Sequence, residues 1–287
     1  HRIVKHVLGG NCPAATELDM CRVLDVGTGD GTWLREMARD HPTVDFVGCD
    51  IVDMTDPASM PSNCRWQHGN ILHKLPYDDG SFDLIHQRQL GCYITERQWP
   101  AVARELYRLC RPGGRVVLVE MEHNPNTIDA AKKDALVQLN SILADALQQS
   151  GVNPDAIRHL DQLLKCVGFV GVYRETIPVP CGGWGGQVGR AMMQHLQMTM
   201  SAGTATALTT NRVSRVEYDA LVEMAGSILG TYQSYHNIHV FVAEKPLSAS
   251  DRPGGNGGAG RLNLLRREVR DGVHRIGSPR RQDTRLR

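Results

Sequence analysis

The stretch Arg22-Val-Leu-Asp-Val-Gly-Thr-Gly-Asp-Gly-Thr-Trp33 runs an apolar segment into three glycines at alternate positions and then into a helix start. A strand can turn this tightly into a helix only where side chains are missing. Glycine takes a left-handed backbone without a Cβ clash, and it lets another molecule lie against main-chain N–H groups beside a helix N-terminus. The stretch therefore predicts the first strand, loop and helix of a nucleotide-binding α/β domain. Its spacing is G-x-G-x-G, with Thr32 where the dinucleotide fingerprint has a final Gly or Ala, which weighs against NAD.

The rest of the N-terminal half continues the alternation. Val44 to Ile51 predicts a second strand that ends in an acid about twenty residues past the glycine loop. In doubly wound folds a carboxylate at that tip accepts both ribose hydroxyls, so Asp50 is the expected ribose ligand and Ile51 follows it against the adenine. Cys64 to Asn70 holds a short third strand, and Phe82 to His86 a fourth that would deliver Gln87, Arg88 and Gln89 to the C-terminal edge of the sheet. Trp99, Val102, Leu106 and Leu109 recur at helical spacing, with Pro100 near the start and Pro112-Gly113-Gly114 as a stop. Gly114 to Met121 is the fifth strand.

Beyond it the pattern turns to helices. Leu136, Leu139, Leu143 and Leu147 form one apolar stripe; Ile157, Leu160, Leu164 and Val167 form a second, opened by Asn153-Pro154 and closed at Gly168. Phe169 to Pro180 alternates as a sixth strand, and Gly182 to Gly186 breaks the chain. Met192, Met193, Met198 and Met200 follow and suit irregular core packing better than a substrate pocket. A helix through Tyr218, Leu221 and Met224 leads to a last strand, Tyr235 to Lys245. His236 and His239 stand three apart in it and face opposite sides, which excludes a metal shared between them.

These motifs resemble those of the class I S-adenosylmethionine-dependent methyltransferases. Val23-Leu-Asp-Val-Gly-x-Gly-x-Gly31 is similar to their first motif, Leu75-Pro-Tyr-Asp-Asp-Gly-Ser-Phe-Asp83 to their lead into strand four, and the helix before Arg111-Pro-Gly-Gly114 to the approach to strand five. The element order, with Gly9-Gly10 and Thr176-Ile-Pro-Val-Pro-Cys-Gly-Gly-Trp184, resembles the fungal methyltransferases of secondary metabolism, a group that includes a nuclear regulator working with velvet proteins. The resemblance covers about residues 1 to 246.

It implies a Rossmann-like, seven-stranded, mostly parallel sheet with helices on both faces, a helical lid over about residues 124–232, and S-adenosyl-L-methionine as cofactor. It places Asp25 near the methionine amino group, Gly27, Thr28, Gly29 and Gly31 against the methionine and ribose, Asn70 and Ile71 at the adenine, and Gln87 at the methionine end. Asn70 stands where the family usually has Asp; an amide carbonyl still accepts from the adenine amino group, with less charge assistance. The implied reaction is methyl transfer to a small or medium-sized metabolite, in which the protein chiefly aligns acceptor and methyl group. No dedicated base is required, and His123 after strand five is the candidate where the acceptor is weakly acidic. The rival reading is a regulator that keeps the cofactor fold and acts through protein partners.

Composition narrows the class further. No run approaches the roughly 18 apolar residues of a membrane span, so a cytoplasmic or nuclear protein is expected. Eight cysteines without a C-x-x-C pair read as reduced packing residues and give no zinc pattern. The net charge of +1 hides an asymmetry: residues 247–287 carry ten arginines and about +6, which leaves about −5 on the rest. That acidic body argues against nucleic-acid binding by the folded domain. The expected domain is 1–247, followed by a Gly- and Arg-rich tail, 248–287. There Pro253 to Gly260 reads as a linker and Leu262, Leu265, Val269, Val273 and Ile276 as either a basic amphipathic helix or an unstructured extension. The absence of an initial methionine suggests an upstream segment.

Overall fold

A computed structural model describes residues 1–12, 19–127, 133–202, 208, 214–231 and 233–248. The expectations for the tail beyond 248 and for the side chain of Leu139 lie outside the described residues. The strands are β1 (Arg22–Val26), β2 (Asp45–Asp50), β3 (Cys64–His68), β4 (Phe82–Arg88), β5 (Cys110–Met121), β6 (Asn126–Thr127), β7 (Val170–Cys181) and β8 (Ser234–Glu244). The helices are α1 (Arg2–Leu8), α2 (Thr32–Asp40), α3 (Trp99–Leu109), α4 (Lys133–Gln149), α5 (Leu160–Cys166), α6 (Gly186–Ala202) and α7 (Arg215–Thr231).

Seven full strands lie in the order β3-β2-β1-β4-β5-β8-β7, and the two-residue β6 adds to β8 at Ser234 and Tyr235. β1 to β5 pair in parallel; β8 runs antiparallel to both β5 and β7. The chain reverses its direction of travel across the sheet between β1 and β4, and at such a switch point the C-terminal strand ends open a crevice for a ligand. The two faces bury different residues of the same strands. Val23, Phe46, Leu84, Val117 and Val240 face a core that includes α1, α2, α6 and α7. Leu24, Val47, Ile85, Leu118 and Phe241 face one that includes α3 and α5.

Several elements follow the sequence reading closely. Trp99, Val102, Leu106 and Leu109 are all buried, so Trp99 is core. Met192 and Met200 are buried as packing residues, whereas Met198 is exposed. All eight cysteines are free thiols; Cys49, Cys110 and Cys181 are buried packing residues whose thiols burial pushes up to about 12, whereas Cys21, Cys92 and Cys166 are exposed, against the packing reading. Two readings need correction. The first turn of the stripe at Ile157 is a 3₁₀ segment, Ala156–His159, and only then does α5 begin. In α4 the buried face runs through Leu136, Ile142 and Ala146, with Leu143 half-buried, because the helix turns that side toward α7. No helix among the described residues is long and apolar enough to cross a membrane.

Candidate functional site

The loop between β1 and α2 has the backbone its glycines predict. Gly27, Gly29 and Gly31 take φ of 68°, 56° and 73°, a region that L-residues with a Cβ enter at a cost. The N–H groups of Gly27 and Thr28 donate to the Cys49 carbonyl at 2.8 and 3.3 Å, drawing the loop over the end of β2. A Cβ on Gly27 would stand 2.6 Å from the Leu90 side chain, so the loop after β4 abuts this one. A Cβ on Gly29 would meet nothing within 4 Å; its open side faces free space.

Asp50 ends β2 and is only half-buried. Its Oδ2 accepts from Gly29 N–H at 2.9 Å and its Oδ1 from Val52 N–H at 3.2 Å, so one side chain ties the strand tip to the glycine loop. Ile51 beside it is 57% exposed, an apolar surface with no protein cover. Across β3, the Asn70 side-chain Oδ1 accepts from Leu72 N–H at 2.9 Å, while Ile71 is buried.

Asp25 is enclosed. Thr28 donates its hydroxyl to Oδ2 at 2.7 Å, and His86 Nδ1 lies 2.7 Å from Oδ1, as the register of Asp25 opposite His86 requires. Burial holds the His86 pKa below its ordinary value although Asp25 pulls it up, so the ring is neutral at pH 7 and donates Nδ1–H to the carboxylate. Trp33 stacks on the imidazole at 3.8 Å and 5°. Asp25 therefore braces Thr28 and the loop from beneath.

β4 extends through Arg88, two residues beyond the expected end, because Gln87 and Arg88 keep pairing with Leu118 and Val119 of β5. Gln87 is consequently inside the strand and fully buried near Glu120, whose ionised form it favours. Arg88 is half-buried at the strand's end, with Nη1 3.0 Å from His1 Nδ1. Gln89 then turns at φ 57°, the one non-glycine in the left-handed region among the described residues. The next two N–H groups, of Leu90 and Gly91, donate to Glu120 at 3.1 and 3.0 Å. Burial pushes the Glu120 pKa up to about 7 against the pull of those donors.

At the far end of β5, Glu122 accepts from His239 Nε2 at 2.9 Å, Asn237 at 3.0 Å and Arg158 at 3.1 Å. Burial alone would raise its pKa; these partners outweigh it and bring the value down to about 2. His123 follows, half-buried, with Cys92 Sγ 3.6 Å from its Nε2. Its pKa is lowered by burial, with Asp155 partly opposing, so the ring is neutral at pH 7. His236 and His239 face opposite sides of β8, the first with Ile238 and Val240, the second with Phe241. Among the described residues no cluster of three or more ligating side chains could hold a metal ion.

His86, Glu120 and Glu122 were given no role in the sequence, and Arg88 only a place at the edge of the sheet, although each interrupts an apolar run, in Phe-Asp-Leu-Ile-His-Gln-Arg and Val-Val-Leu-Val-Glu-Met-Glu. A polar residue in a buried strand implies a buried partner. The identity of that partner depends on register across strands far apart in sequence.

Comparison with known proteins identifies the family. Residues 23–114 match the family described as "Methyltransferase domain". Secondary metabolism regulator LAE1 of Cochliobolus heterostrophus is 30% identical over 78% of this chain and 76% of that protein. N-methyltransferase tcpN of Claviceps purpurea is 29% identical over 63% and 67%, and protein-methionine methyltransferase laeA of Emericella nidulans 26% identical over 79% and 63%. With its motif I loop, its strand order and these relatives, the chain belongs to the class I S-adenosylmethionine-dependent methyltransferases, in the group that contains the fungal regulators of secondary metabolism.

Proposed function

We propose that the protein transfers the methyl group of S-adenosylmethionine to a small or medium-sized metabolite. The observation that carries the reading is the joint placement of Gly29 and Asp50: a glycine whose open side meets no protein atom, joined at 2.9 Å to a carboxylate at the tip of β2. These residues fit the cofactor. Asp50 has lone pairs left for the ribose hydroxyls, exposed Ile51 offers an apolar wall for the adenine, and Asn70 with Ile71 closes the adenine end. Gly27, Thr28 and Gly31 shape the loop, and Asp25 holds it in place through Thr28. Gln87, expected at the methionine end, is instead fully buried within β4.

The bound cofactor supplies an electrophilic methyl on a sulfonium. What remains for the chain is to align an acceptor, exclude water and, for a weakly acidic acceptor, take a proton. His123 Nε2 is suited to that last task, since its ring is neutral and sits at the C-terminal edge of the sheet. The elements from 124 to 232 form the acceptor side and lid of a single domain, 1–247.

Two of the relatives are named as methyltransferases and differ in acceptor, an N-methyltransferase beside a protein-methionine methyltransferase. The regulator name of the Cochliobolus protein favours a second reading, action through protein partners. Incubation with methyl-labelled S-adenosylmethionine and a metabolite panel, followed by separation of small molecules from protein, decides between them. Label in the small-molecule fraction is expected. Label confined to added protein overturns the metabolite acceptor, and stable partner capture without any transfer favours the regulator.

A further inference from the structure

The guanidinium of Arg88 has no carboxylate within ion-pair distance among the described residues, yet it stands at the cofactor end of the sheet. Several observations place it there. His86 and Arg88 lie two residues apart in β4 and so share a face, and His86 is stacked on Trp33 of α2 and bonded to Asp25 under the glycine loop. Two residues after Arg88, Leu90 touches the position of Gly27. The charges that act on Arg88 are those of Asp25, Asp30 and Glu36, which surround the same loop and the start of α2. Each is committed elsewhere: Asp25 to Thr28 and His86, Asp30 to the Thr32 N–H and hydroxyl at 3.0 and 2.8 Å, Glu36 to Lys5 and His1. The contact at 3.0 Å that Arg88 does make is to a ring nitrogen of His1, whose other nitrogen lies 3.2 Å from Glu36. That geometry suits a neutral ring accepting one guanidinium N–H, which leaves a planar fork with donors to spare.

The geometry points to Arg88 as the residue that binds the α-carboxylate of the cofactor's methionine moiety. A half-buried guanidinium without a carboxylate is costly, and a planar carboxylate at that position matches the fork bidentately. The assignment rests on the cofactor site proposed above and adds a ligand to it.

Its test uses ligands that differ only at this end. The full chain is titrated calorimetrically with S-adenosylhomocysteine, its decarboxylated analogue and 5′-methylthioadenosine, for the parent and for Arg88→Met and Arg88→Lys. Removing charge-assisted bonds should weaken S-adenosylhomocysteine in Arg88→Met by about 10- to 100-fold. The decarboxylated analogue and methylthioadenosine should bind parent and variant equally, which also certifies the fold of the variant. Arg88→Lys keeps the charge without the fork and should recover part of the loss. Equal weakening of all three ligands, or undiminished S-adenosylhomocysteine binding in Arg88→Met, overturns the assignment. If the parent binds none of the three, the cofactor site itself is misplaced and the assignment falls with it.

Discussion

Replacing Glu122 by Gln should destabilise the protein at neutral pH and make little difference in acid. Glu122 is 6% exposed and receives donors from β8 (His239, Asn237) and from the segment before α5 (Arg158). Its pKa falls from 4.5 to about 2 on folding, which, discounted for solvent screening of this partly enclosed cluster, corresponds to roughly 2 kcal/mol of stabilisation. Because the folded value is the depressed one, this stability is fully present above the unfolded value of 4.5 and is lost as pH falls toward 2. Between those values the unfolded chain binds the extra proton, so about half of the contribution should be gone by pH 3.

Glu122→Gln keeps the shape but sets an NH2 group against donors, so the variant should lose roughly 2 to 3 kcal/mol at pH 7. Urea unfolding of both proteins at pH 7, 5, 4 and 3 measures the gap. A gap that stays constant down to pH 3, or that is absent at pH 7, would refute the argument that this cluster holds an ionised carboxylate. On the proposal that the region after β5, which includes Arg158, forms the acceptor side, the variant should also raise KM for the acceptor more than it weakens S-adenosylhomocysteine.

Other outcomes follow from the loop and the lid. Asp50→Ala should weaken S-adenosylhomocysteine by about 3 to 5 kcal/mol, because two bonds to a charged group are lost, whereas Asn70→Ala should cost only about 0.5 to 1.5 kcal/mol; calorimetric titration ranks them. Gly27→Ala and Gly29→Ala both carry the left-handed backbone cost of about 1 kcal/mol, but only Gly27→Ala also displaces Leu90. Thermal melts without ligand should therefore fall further for Gly27→Ala, while Gly29→Ala should lose cofactor affinity beyond its loss of stability. Exchanging residues 124–232 for the counterpart of a related methyltransferase should change the acceptor and leave S-adenosylhomocysteine affinity similar; acceptor preference that stays with the N-terminal half would refute the lid assignment.

What could be read in the sequence was what depends on neighbours along the chain. The glycines at 27, 29 and 31 and the acid at the tip of β2 each declare themselves within a few residues, and the structure places them as expected; the expected stop at Pro112-Gly113-Gly114 came too late, because Cys110 already pairs with Phe82, so α3 ends at Leu109 and β5 begins at Cys110. The opposite facing of His236 and His239 follows from the two-residue period of a strand and needs no partner to be known. The end of β4 was misjudged for the opposite reason. Gln87 and Arg88 look like loop residues by composition, and only pairing with β5, some thirty residues later, keeps them in the strand.

The same contrast runs through the site. Asp25 is recognisable from its motif, but its engagement by His86 rests on a register between β1 and β4, and the stack of Trp33 on that ring rests on how α2 settles over both. This matters chemically, because it changes what Asp25 is free to do. Each of its oxygens accepts from a protein donor at 2.7 Å and the group is 3% exposed, so on the proposed reading it is burial that sets Asp25 apart from half-buried Asp50 and leaves it to act on the cofactor through the loop's conformation and field. His86→Asn tests that division of labour. It removes the stacked ring while leaving a donor of its own near the carboxylate, so the buried charge stays partnered but the loop loses its flat support. Stability should fall by about 1 to 3 kcal/mol, read from urea midpoints. S-adenosylhomocysteine affinity should fall with it, and methylthioadenosine affinity by the same factor, since a loosened loop serves every part of the ligand alike. A loss confined to S-adenosylhomocysteine would instead place Asp25 in direct contact with the methionine amino group and refute its role as a brace.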